Sequence, residues 1–157
     1  MQKRALFTFM FSLVFVSFLA NSGFTARKVP QVPPAVKKMV IEAKRSVKSI
    51  DMEALKSAID NKENVPVIDV RVPREYDTGH IPGSINIPRG LLEFSVWAKV
   101  VGYPEKTDTS KKIYLYCKTG VRAAFAVKTL EELGFTNVIL VDMKIAEWRK
   151  AGYPLEK

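Results

Sequence analysis

From residue 35 to residue 48 apolar side chains recur at helical spacing (Val36, Met39, Val40, Ala43, Val47), with Lys37, Lys38, Lys44, Arg45 and Lys48 elsewhere, which predicts a basic amphipathic helix. Its apolar stripe is modest, so the helix is expected to pack on a domain rather than lie on a membrane, and it offers a surface for a protein partner. Met52, Leu55 and Ile59 then share one face, with Ser49 or Asp51 as N-cap, so residues 49–60 read as a second helix. The β-branched run at 65–70 reads as a buried strand, and 73–79 as a brief helix with Pro73 at its start and Gly79 at its end. A Pro-Gly turn at 82–83 leads into a short strand around Ile85 and Ile87.

Residues 91–101 form a helix-like apolar stretch, followed by a loop. Residues 113–117 then form a strand, 123–134 a helix closed by Gly134, 137–142 a strand, and 145–152 a last helix. Strands separated by helices specify an α/β fold, a mostly parallel sheet with helices on both faces. Sites in such sheets form beyond the C-terminal ends of strands, and Cys117 sits at one such end.

The N-terminus has Lys3 and Arg4, an apolar run over 5–20, and then small and polar residues, the layout of a secretory signal. The expected organisation is a signal peptide over 1–22 cleaved after Ser22, a Pro-rich linker over 23–34, the basic helix over 35–48 and one domain over 49–157. The apolar run is shorter than the ~20 residues of a spanning helix. Export, to the periplasm, is therefore the expectation, with no stable membrane insertion after cleavage and an uncleaved anchor as the second reading.

Among 157 residues there is one cysteine, so an exported form has no internal disulfide and Cys117 is either inert and buried or a reactive thiol. A formal net charge of +9 favours anionic partners. No nucleic-acid motif accompanies it, and a small anionic substrate fits the charge.

Lys118, Thr119, Gly120, Val121 and Arg122 lie between the Cys117 strand and the next helix. A loop that curls into a helix N-terminus turns unpaired backbone N–H groups inward at the positive end of the helix dipole. Gly120 permits the tight backbone, and Lys118 and Arg122 add positive charge. With a cysteine at its base, the thiolate is the stabilised anion, so the sulfur is expected to be nucleophilic at neutral pH. Attack on a sulfane sulfur or on a phosphoryl or arsenate group would suit it. Loop size separates these, since cysteine phosphatases use five residues before the arginine and only four separate Cys117 from Arg122.

The Cys-x-x-Gly-x-Arg motif, with "IDVRVPREYDTGHIPGSINIP" upstream and "WRKAGYP" near the end, resembles the single-domain rhodanese family of sulfurtransferases. The resemblance runs from about residue 49 to 156 and implies a rhodanese-like, mostly parallel five-stranded sheet. It implies that catalytic Cys117 takes a sulfur atom from thiosulfate or a similar anionic donor as a persulfide and passes it to cyanide or a thiol. Lys118, Thr119, Gly120, Val121 and Arg122 then bind substrate, and Asp69 and Arg71 support the loop by hydrogen bonds, with Glu75 placed to pair with Arg71. His80, the only histidine, is expected to be structural, and neither a metal nor a cofactor is expected. A partner-fed sulfur carrier or redox relay and a non-catalytic binding module are the alternatives. Met143 and Lys144 replace a glycine pair common in the family; if those positions line the pocket mouth, it is narrower and more basic than usual.

Overall fold

The computed structural model describes residues 32–157. The expected signal peptide, and the linker up to residue 31, lie outside the described residues. The elements in chain order are α1 (Pro34–Ser46), β1 (Ser49–Ile50), α2 (Met52–Asp60), β2 (Val67–Asp69), α3 (Pro73–Tyr76), β3 (Ile85–Asn86), α4 (Leu92–Val96), β4 (Ile113–Tyr116), α5 (Val121–Glu132), β5 (Val138–Val141) and α6 (Ile145–Lys150). The five strands form one sheet in the order β1-β5-β4-β2-β3, and every neighbouring pair is parallel.

Alternation along the strands builds two cores. In β4, Ile113 and Leu115 join a cluster with Ala43 of α1, Leu92 and Val96 of α4, and Ala123, Ala124 and Val127 of α5. Tyr114 and Tyr116 face the other way, toward Leu55 of α2 and Ile145 and Trp148 of α6. Both faces are covered, so the strands read as continuous apolar runs. The Trp148 indole N–H donates to the Pro154 carbonyl (2.9 Å), and His80 and Glu156 exchange two backbone hydrogen bonds of 2.9 Å. These contacts close the C-terminus onto the domain.

Besides shifts of one to three residues at the ends of other elements, three segments differ from the sequence expectation. Ser49 and Ile50, read as helix, form the edge strand β1, because the backbone at 48–50 pairs with β5: Leu140 N–H donates to Lys48 O, and Asp142 N–H to Ile50 O. Two residues carry no periodicity, so only the partner strand reveals them. The helix then starts at its Asp51 cap, whose Oδ1 accepts from Ala54 N–H at 2.8 Å. The stretch at 91–101 is not one helix: a 3-10 turn (Arg89–Leu91) precedes α4, and a π-helical turn (Trp97–Val101) follows it. Finally, α5 begins two residues before the predicted Ala123.

Helix α1 packs against α5, burying Ala43, with Val47 just beyond its end, and leaving Val36, Met39 and Ile41 exposed. The packed reading of the basic helix therefore holds. No helix among the described residues is long and apolar enough to cross a membrane.

Candidate active site

Cys117 follows directly after β4 and continues the alternation toward α5, where it is a free thiol with 0% of its surface exposed. Lys118 and Thr119 are exposed above it. Gly120 has φ +76° and is the N-cap of α5, so Val121 and Arg122 form the first turn of the helix instead of the end of a longer loop. Among the described residues, no backbone carbonyl accepts from the N–H groups of residues 118–123. Those donors stand at the positive end of a 12-residue helix. Open backbone donors at 118–123 next to a buried cysteine are what the cradle expected from the sequence requires.

Gly120 also abuts two side chains far away in sequence. A Cβ there would lie 2.5 Å from Asp142 Oδ1 and 3.1 Å from Lys44 Nζ, and these two groups form an ion pair. Asp142 follows β5, and Lys44 comes from α1. Gly120→Ala combines a left-handed backbone, which costs a residue with a Cβ about 1–2 kcal/mol, with a displaced ion pair. Its expected outcome is a stability loss of about 1–2 kcal/mol in urea unfolding, and modification of Cys117 slowed about tenfold by loop displacement. A variant that matches the parent in both measurements would show that the glycine is not needed.

Asp69 and Arg71 are 0% and 3% exposed and bind each other through a fork: Arg71 Nε donates to both carboxylate oxygens (3.0 and 2.8 Å), and Nη2 donates to Oδ2 (2.6 Å). Burial works against the guanidinium charge, yet Asp69 holds Arg71 above its ordinary range. The remaining guanidinium donors reach the carbonyls of Glu75 (3.0 Å) and Gly79 (2.9 Å), fixing the segment that carries α3. Glu75, expected to pair with Arg71, instead receives Arg122: Nη1 and Nη2 donate to its two carboxylate oxygens at 2.6 and 2.9 Å. The reason is that Arg71 turns inward to Asp69 and offers Glu75 only a bond to its backbone. Hydrogen bonding from Arg122 holds the Glu75 carboxyl below the usual range. Asp69 and Arg71 therefore touch the loop indirectly, through Glu75 and Arg122.

The His80 ring stacks on Tyr76 with centroids 3.6 Å apart, and Nδ1 lies 3.3 Å from the Tyr76 carbonyl. The Tyr116 hydroxyl accepts from Ile81 N–H (3.1 Å) and lies 3.1 Å from Ser84 Oγ, with burial pushing its ionisation well upward. Both residues hold the turn at 80–84. Met143 and Lys144 do border a small cavity beside Thr119. The extra positive charge expected there is balanced, because Lys144 pairs with Glu147 (2.7 Å) and Lys44 with Asp142, while Met143 is buried in the core.

Sequence reasoning missed Lys44, Asp142 and Arg149 as neighbours of this site. Asp142 carried a usable signal, since it stands at the C-terminal end of a strand beside β4. Lys44 carried none, because its position depends on how α1 docks.

The model of the rhodanese-like domain family matches residues 51–151. A thiosulfate:glutathione sulfurtransferase of Saccharomyces cerevisiae is 32% identical over 114 residues, covering 68% of this chain and 81% of that protein. A Bacillus subtilis protein whose proposed role is sulfur carriage is 32% identical over 103 residues, covering 66% of this chain; the chain spans about half (51%) of its length. Among solved structures, a Rhodopseudomonas palustris protein of unknown function, suggested to be a tyrosine phosphatase, superposes with a TM-score of 0.64 at 32% identity. That match covers 82% of this chain and 99% of the other.

Proposed function

This chain belongs to the rhodanese-like domain family, and from that premise we propose a sulfurtransferase that moves sulfane sulfur from thiosulfate or a related anion to cyanide or a thiol through a Cys117 persulfide. The observation that carries the reading is the position of Cys117 at the end of a central strand, under a loop whose N–H groups at 118–123 no backbone carbonyl takes up. A negative sulfur and a negative donor can both be met by those groups and by Lys118.

The thiolate attacks the outer sulfur of thiosulfate. The bond from that sulfur to the sulfonate breaks, and sulfite leaves with the electron pair. Cyanide carbon, or a thiolate acceptor, then attacks the outer sulfur of the persulfide, and the Cys117 thiolate is restored as leaving group. Cys117 has no exposed surface, so the exposed Lys118–Thr119 segment gives way to admit the donor. Arg122 contributes through Glu75, holding α3 against the loop. A phosphatase fits less well, because four residues between Cys117 and Arg122 leave less room for a tetrahedral oxyanion, and Arg122 is already paired. The basic N-terminus with its apolar run supports export of the domain.

The test is the intact mass of the protein after brief exposure to thiosulfate. One added sulfur atom, removed by cyanide, supports the reading. A folded protein whose thiol alkylates but gains no sulfur would overturn thiosulfate as donor and favour sulfur received from a partner protein.

A further inference from the structure

Between α3 and α6 lies a cavity of about 230 Å³ walled by Arg71, Glu75, Lys118, Ile145 and Arg149. Two of its four charges are already spent: Arg71 on buried Asp69, and Glu75 on Arg122. Lys118 and Arg149 are the remaining two, and among the described residues neither pairs with a carboxylate within 4.0 Å. We propose that Lys118 and Arg149 form an anion subsite beside Cys117 that takes the sulfonate or carboxylate end of a small sulfur donor or acceptor. The choice of ligand rests on the sulfurtransferase reading; the charge preference does not.

The fold sets this pair in place. Ile145 N–H donates to the Lys118 carbonyl (3.2 Å), tying the start of α6 to the residue after Cys117. Arg149 stands four residues further on the same helix face, so it projects over the same cleft. Its Nη2 atom would lie 3.3 Å from a Cβ at Gly79, and the absence of that side chain leaves it room. Two uncompensated cations in one cleft concentrate field lines and attract anions above their bulk level. Thiosulfate and carboxylate-bearing thiols both offer such an end, whereas hydrogen cyanide, neutral at pH 7, does not.

The experiment compares alkylation of Cys117 by iodoacetate and iodoacetamide, which are similar in size but differ in charge. In both, the sulfur–carbon bond forms as the carbon–iodine bond breaks and iodide leaves with the electron pair. At low salt, Arg149→Gln is expected to lower the iodoacetate-to-iodoacetamide rate ratio by about three- to tenfold. Added salt should shrink that difference, and Arg149→Lys should restore most of the ratio. Lys150→Gln removes the same charge from the same helix outside the cleft. A fall as large as that of Arg149→Gln would overturn the subsite, as would no change in Arg149→Gln itself.

Steady-state KM values identify the ligand. A rise in Arg149→Gln confined to thiosulfate assigns the subsite to the donor, and one confined to glutathione assigns it to the acceptor; a rise in neither overturns it. If the charge ratio shifts while no persulfide ever forms, the subsite stands and the sulfurtransferase reading fails. The reverse pattern fails the subsite alone.

Discussion

Cys117→Ser is expected to abolish sulfur loading and to bring thiosulfate:cyanide turnover down to the uncatalysed background. The chain has a single cysteine, so no other thiol can take over. A serine hydroxyl is a far weaker acid and nucleophile than a thiol, and the loop lacks a neighbouring base to activate it, because its side chains are Lys118, Thr119, Val121 and Arg122. The fold should survive. Serine is nearly isosteric, and its hydroxyl can accept from the N–H groups of the loop, so a cost of about 1 kcal/mol is expected in chemical unfolding. Persistent sulfur transfer in a fully substituted protein would place the chemistry away from this loop. Loss of cooperative unfolding would mean that Cys117 serves the core before it serves any reaction.

Asp69→Ala should do the largest damage to stability, about 3–5 kcal/mol. Removing the carboxylate leaves Arg71, 3% exposed, with two backbone carbonyls as acceptors, the Tyr116 ring 5.9 Å away and no counter-charge. It also strips the Arg71 backbone N–H of the acceptor it meets at 2.9 Å. A domain of this size is stable by about 5–15 kcal/mol, so much of the margin disappears. The companion Asp69→Leu/Arg71→Met removes both charges and should regain most of the stability, since an uncompensated buried charge is worse than none. It should still load sulfur more slowly, because the carbonyls of Glu75 and Gly79 lose their donors. A single Asp69→Ala variant within 1 kcal/mol of the parent would show that water reaches the buried guanidinium.

The comparison of Asp69 with Glu75 shows how far a sequence carries such a site. Both acids precede or follow Arg71 at spacings that allow pairing, and spacing alone cannot divide one guanidinium between them. The sheet decides: Asp69 ends β2 facing inward and claims the fork, which frees the Glu75 carboxylate for Arg122, 47 residues away. Arg149 was legible as part of a closing segment but not as a neighbour of Lys118, because that requires α6 to be tied to the loop through Ile145.

By itself the sequence determined the alternation of strands and helices, the two-faced pattern of β4, the glycine at the mouth of α5 and the single thiol beneath it. These are local properties, set by side-chain periodicity and backbone freedom over a few residues. Only the tertiary structure decided the edge strand at Ser49–Ile50, the placement of Lys44 and Asp142 beside Gly120, the exchange of partners between Arg71 and Arg122, and the meeting of Lys118 and Arg149 at the wall of one cleft. Each depends on elements far apart in the chain meeting at a common edge, and no local pattern encodes which charge will find which partner once water is removed.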